Sequence, residues 1–232
     1  MSCKTGFFAL ELDYGAQEWL SQVADYIQQD TITAMDVTVD SSSSPNNNIG
    51  FAATPLDRLH MTLVFCGEGL LKLSSDELSK VHAEMDQAVR RYPPQEVNRM
   101  LELTGFDLFP PTKCNLLVAK FTAPPMLQAL RRELWQILLA AGGKQGTCAM
   151  TDDSEWIPHV TLGKFKASST QIGLLKCSGL KDRFMRSSVV SDRDGKDDRV
   201  NVDDGVPVKG ISLRGERPKR IWLDWDWDFE LP

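Results

Sequence analysis

Hydrophobic residues recur along this chain with two different periods, and each change of period marks an element. Phe7 to Leu12 is a short apolar run that predicts a first strand. From Ala16 to Gln29 the apolar residues Trp19, Leu20, Val23 and Ile27 return every three or four positions, the spacing of an amphipathic helix. Between Asp30 and Thr54 the pattern dissolves, and Ser41 to Asn48 reads as a polar loop. Leu59 to Cys66 predicts a strand. Ser74 and Glu77 have the spacing of a capping box, opening a helix whose apolar face is Leu78, Val81, Met85 and Val89.

Further strands are predicted at Met100 to Phe106 and Asn115 to Phe121, joined by a turn at Pro110-Pro111. Pro124-Pro125 opens a helix with Leu127, Leu130, Leu134 and Leu138 inward, and Gly142-Gly143 ends it. Ile157 to Phe165 is another strand. Thr170 to Arg186 has a helical pattern weakened by Gly173 and Gly179. Val208 to Leu213 and Arg220 to Leu231 predict a closing hairpin, with Ile221, Leu223, Trp225, Trp227 and Phe229 on one face. The acids on the other face, Asp224, Asp226, Asp228 and Glu230, read as a solvated surface. The acidic stretch Asp192 to Gly205 reads as loop, because it lacks the ligand register and final Glu of a calcium loop.

Composition narrows the function. A chain of 232 residues with 42% hydrophobic and 25% charged residues is ordinary for a globular protein with a substantial core. The net charge of −6 argues against gripping nucleic acid by a broad basic field. Any nucleic-acid partner is then an end or a small fragment held locally. No run approaches the ~20 apolar residues that cross a bilayer, so no membrane partner is expected, and Glu11 interrupts the start before a signal-peptide core forms. Five scattered cysteines, never spaced as Cys-x-x-Cys, fit reduced thiols in the cytoplasm, or in the nucleus, better than disulfides or a zinc site.

Two of the three histidines stand in the same frame: His60-Met61-Thr62-Leu63 and His159-Val160-Thr161-Leu162. An internal duplication is the simplest cause of such a match. In a strand, residues i and i+2 point the same way, so each motif aims an imidazole and a hydroxyl at one face. Two such strands around a pseudo-twofold axis bring two imidazoles and two hydroxyls to one site. That set suits attack on a phosphodiester: one His takes a proton from water, the other gives one to the leaving oxygen, and the Thr hydroxyls hold phosphate oxygens. The unperturbed pKa of His, ~6.5, suits both roles. The chemistry needs no cofactor and no metal. His82 lacks a matching frame and reads as a surface or structural residue.

On these motifs the chain resembles the 2H phosphoesterase superfamily, specifically its LigT-like branch of RNA 2′,3′-cyclic phosphodiesterases. The resemblance extends over Phe7 to Leu10, Arg58 to Glu68, Pro158 to Lys164 and the terminal hairpin. It implies an α+β bilobal fold, with two pseudo-twofold-related lobes of antiparallel sheet and outer helices around a central groove. One such domain would span residues 1–232, with loop insertions at about 30–54 and 187–206. It implies catalysis by His60 and His159, substrate contacts from Thr62 and Thr161, and a phosphate contact from Lys164, where the branch often has Arg. Strict alternation aims Lys164 away from His159, so that contact requires a kink at Gly163. By the same resemblance His60 protonates the leaving ribose oxygen and His159 activates water, a division the residues alone leave open. The implied partner is an RNA 2′,3′-cyclic phosphate end or a small cyclic nucleotide, handled by a monomer. Cys66 and Glu68 share His60's face by alternation, although a buried thiol and a loop carboxylate are the plainer readings.

Two other readings compete. One is a catalytically weak module of the same fold that binds a nucleotide or RNA end; the other is a scaffold whose acidic loops bind a basic partner. Neither accounts for the matched motifs as well.

Overall fold

A computed structural model describes residues 7–36, 50–66, 73–92, 100–141, 156–166, 206–214 and 221–222. Its strands fall into two antiparallel sets. In the first, β1 (Phe7–Leu12) lies between β3 (His60–Phe65) and β7 (Val206–Arg214), and β7 continues to β8 (Ile221–Trp222). In the second, β6 (His159–Phe165) lies between the short β2 (Phe51–Ala53) and β5 (Leu116–Thr122), and β5 continues to β4 (Met100–Phe109). The sets meet where Met61 pairs with Val160, and again where Met100 and Leu101 pair with Pro207 and Val206. The α+β architecture of two related antiparallel lobes is the one expected.

The helices tie the lobes together. Helix α1 (Tyr14–Asp36) follows β1 yet packs on β2 and β6, while α3 (Pro125–Ala141) follows β5 yet packs on β3 and on α2 (Ser75–Arg90). The periodic residues expected to face inward in α1 and α3 do so: Trp19, Leu20, Val23 and Ile27 are buried, as are Leu127, Leu130, Leu134 and Leu138. They meet Leu10, Met61, Leu63, Val160 and Leu162 in one core, so the apolar halves of both histidine motifs anchor their strands. Each such side chain contributes roughly 1.5–3 kcal/mol by leaving water. The Ser74–Glu77 capping box forms as read.

Three expectations need correction. Helix α1 runs on to Asp36 rather than stopping at Gln29. No Pro or Gly lies between Asp30 and Asp36, and β-branched residues only mildly disfavour helix. The stretch ending at Thr54 contains strand β2, too short to show alternation, followed by a 3-10 turn at Leu56–Arg58. Leu78 is 42% exposed rather than part of the α2 apolar face, because it sits in the helix's first turn, ahead of the buried Val81, Met85 and Val89. The expectations for Ser41 to Asn48, Glu68, Thr170 to Arg186, Asp192 to Gly205 and the last strand beyond Trp222 lie outside the described residues.

Candidate active site

The antiparallel pairing of Met61 with Val160 sets two histidine strands side by side. One position to either side, an antiparallel register brings His60 opposite Thr161 and His159 opposite Thr62. Each imidazole therefore shares a sheet face with the threonine of the other motif. Met61 and Val160 are fully buried on the core side, while the four polar residues are half-buried on the other. The neighbouring strands complete the same face. Ala9 and Glu11 of β1 pair with Thr62 and His60, and Val118 and Lys120 of β5 pair with Thr161 and His159.

Both motif strands bulge at the same place. Phe8 and Ala9 pair with Val64 and Thr62, leaving Leu63 as the extra residue; Leu117 and Val118 pair with Gly163 and Thr161, leaving Leu162 extra. A bulge shifts the alternation by one. Lys164, five residues after His159, thereby returns to the histidine face, and it is exposed there. The bulge at Leu162 thus does what a kink at Gly163 was expected to do. The same shift turns Cys66 away from His60 into the core, where it is 1% exposed, and puts the 43%-exposed Phe65 on the site face instead. The alternation that set Cys66 beside His60 is corrected by that extra residue.

The two rings are held alike. His60 Nδ1 donates to the Arg58 carbonyl at 2.6 Å, and His159 Nδ1 donates to the Ile157 carbonyl at 2.8 Å. A carbonyl can only accept, so each Nδ1 carries the proton and Nε2 is the nitrogen left to take or give a substrate proton. Phe7 stacks on His60 with ring centres 4.8 Å apart, and Phe109 lies tilted against His159 at 4.6 Å. Burial pushes the His159 pKa below the ordinary value; its bond to Ile157 opposes this, and the positive charge of Lys120 adds to it. Among the described residues, no group of three or more His, Cys, Asp or Glu is placed to hold a metal ion.

The sequence profile of the 2′-5′ RNA ligase superfamily matches residues 46–181, more than half of the chain and both motifs. The chain belongs to this superfamily. The resemblance drawn from the motifs is borne out at that level, and superfamily membership supports phosphodiester chemistry on RNA or nucleotides. Among solved structures, the chain is similar to E. coli LigT complexed with 3′-AMP, at 14% identity over 91% of this chain and 87% of that one, with a TM-score of 0.43. It is also similar to Kluyveromyces marxianus Usb1 with uridine monophosphate, at 15% identity over 91% and 93%, with a TM-score of 0.43. No curated protein matches the chain significantly. No described helix is long and apolar enough to cross a membrane.

This member of the 2′-5′ RNA ligase superfamily stabilises its two bulges from outside the motifs. Trp156 Nε1 donates to the Thr62 carbonyl at 3.1 Å, and Arg131 Nε donates to the Leu63 carbonyl at 3.1 Å. Arg131 is buried and lies over the Trp156 ring at 5.5 Å. In the second motif the Leu162 carbonyl accepts from Thr54 N at 2.8 Å. The bulge carbonyls, displaced from a regular ladder, thus find donors, as buried polar groups must. Sequence reading missed Arg131 and Trp156. The available signal was an Arg at position 131 inside the apolar Leu127/Leu130/Leu134 stripe.

Proposed function

We propose that the protein is a metal-independent phosphodiesterase that hydrolyses a 2′,3′-cyclic phosphate or a 2′-5′ phosphodiester at an RNA end or on a small nucleotide. The observation that carries this reading is the matched pair of imidazoles, each fixed with a proton on Nδ1 and each on the same sheet face as the other motif's threonine. His159, neutral at Nε2, takes a proton from water, and the water oxygen bonds to phosphorus. His60, protonated, gives its Nε2 proton to the leaving ribose oxygen as the P–O bond breaks. Thr62, Thr161 and the Lys164 ammonium hold the non-bridging oxygens where charge gathers. The protein acts as a monomer, in the cytoplasm or the nucleus.

The test uses purified protein on 2′,3′-cyclic nucleotides, cyclic-phosphate RNA ends and 2′-5′ oligonucleotides, with and without EDTA. Each single change, His60→Ala or His159→Ala, is expected to cost roughly 10²–10⁴-fold in kcat, with circular dichroism unchanged and activity indifferent to chelation. Near-wild-type turnover in either variant refutes the mechanism. Unaltered binding with no turnover by the wild type would favour a nucleotide-binding module instead.

A further inference from the structure

The two halves of the site hold their imidazoles alike. Each imidazole donates to the carbonyl two residues before it, packs against a phenylalanine and shares a sheet face with a threonine across the Met61–Val160 pair. The strand on the outer side of each histidine also pairs in the same way. Glu11 of β1 is the register partner of His60, and Lys120 of β5 is the register partner of His159. Directly paired residues in antiparallel strands send their side chains to the same face, with Cβ atoms about 4.5–5.5 Å apart. At these equivalent register positions the duplication carries opposite charges.

We propose that Glu11 and Lys120 are positioning residues that give the two matched histidines their different roles, Glu11 holding His60 in the protonated form and Lys120 holding His159 in the neutral form. The division of roles rests on the phosphodiesterase reading above; the charge asymmetry does not.

Electrostatics supports the assignment. A neighbouring negative charge favours the imidazolium, and a neighbouring positive charge disfavours it. Glu11 is only 2% exposed, on the strand between β3 and β7, where its β7 partner is the uncharged Gly210. A charge shielded from water acts more strongly on its neighbour than an exposed one. Lys120 is partly exposed and bridges Asp107 of β4 at 3.3 Å, which tempers its field. It still contributes to the lowered pKa of His159, after burial. Other described neighbours are the following. Thr161 and Thr62 share the rings' sheet face from the opposite strand without charge. Phe7 and Phe109 cover them, and Asp57 and Arg58, of opposite sign, flank His60 on its own turn. Lys164 lies at the far end of β6.

NMR titration of the ring signals tests this directly, because the chain has three histidines and His82, exposed on α2, serves as an internal reference. In the wild type His60 should titrate above His159. Glu11→Gln should lower the His60 midpoint by about one pH unit and leave His82 in place. Lys120→Met should raise the His159 midpoint. In pH–rate profiles the high-pH limb should move down in the first variant and the low-pH limb should move up in the second. Glu11→Asp keeps the charge farther from the ring and should give a smaller shift, which separates charge from packing. It also serves if the glutamine variant does not fold. Unmoved His60 and His159 midpoints overturn the proposal. The titrations need no substrate, so they stand apart from the phosphodiesterase reading, which fails if no RNA or nucleotide is turned over.

Discussion

At the scale of single residues, what distinguishes the site is that each imidazole has one nitrogen committed to the backbone. The Nδ1 bonds to Arg58 and Ile157 survive protonation of the ring, so each His can gain or lose a proton at Nε2 without reorienting. For His159 the consequence can be signed. Its pKa is lowered, first by burial and then by Lys120, so on acidification it stays neutral to a lower pH than an ordinary His, ~6.5. If it is the base, the low-pH limb of kcat should have its midpoint below pH ~6.5, and a steady-state profile across that range checks it. The same shift acts on stability. Below the ordinary value the unfolded chain binds more protons at this position than the folded one, so stability falls as pH drops through that window. His159→Ala should flatten that part of the stability curve, measured by urea unfolding. Much of this level was legible in advance: the H-x-T-L frames pick out His60, Thr62, His159 and Thr161, and the strand period puts them on one face. Whether Lys164 or Cys66 joined them was not legible, because it depends on a bulge, and a bulge is a relation between two strands rather than a property of one.

At the scale of elements, periodicity located the three described helices and seven of the described strands, although it ended α1 seven residues early, since long amphipathic runs are read from side chains they contain. It missed β2, three residues long, whose existence depends on β6 being there to pair with. That small strand has a clear task. Phe51 lies against Gly163, its ring tilted on Phe165 with centres 4.7 Å apart, and just beyond it Thr54 N caps the Leu162 bulge carbonyl. A Cβ on Gly163 would come within 2.2 Å of Phe51 Cζ and 2.7 Å of the Ala52 carbonyl oxygen. A ring can turn aside, but a paired strand's backbone oxygen cannot do so alone. Gly163→Ala should therefore loosen β2 from β6, costing about 1–3 kcal/mol of stability and disturbing the bulge that returns Lys164 to the site face. Denaturant unfolding and KM on the active substrate read the two effects. A variant with unchanged stability and unchanged KM would mean that β2 does not hold the bulge.

At the scale of the whole molecule, the net charge of −6 and the local chemistry pull in different directions. A protein that binds along a nucleic-acid backbone releases many counterions, and its affinity falls steeply with salt. Here Lys164 and Lys120 are cations that the register places on the histidine face, and Lys120 is already paired with Asp107. The acidic remainder of the chain repels a polyanion that runs across its surface within the Debye length, about 8 Å at physiological salt, while a phosphate seated between the motifs meets the cations of that face. The molecule is then suited to the end of a strand, or to a small nucleotide, rather than to its length. Each phosphate neutralised on a single strand contributes roughly −0.7 to the slope of log K against log salt, so binding of a cyclic-phosphate oligonucleotide to the His60→Ala, His159→Ala double variant should show a slope near −1, little changed as the oligonucleotide lengthens. Lys164→Ala in that background should bring the slope close to zero, if its ammonium is the group that meets the phosphate. Titrations by fluorescence anisotropy between low and physiological salt measure both quantities. A slope that steepens with every added nucleotide would show a basic track along the chain and overturn the end-binding reading.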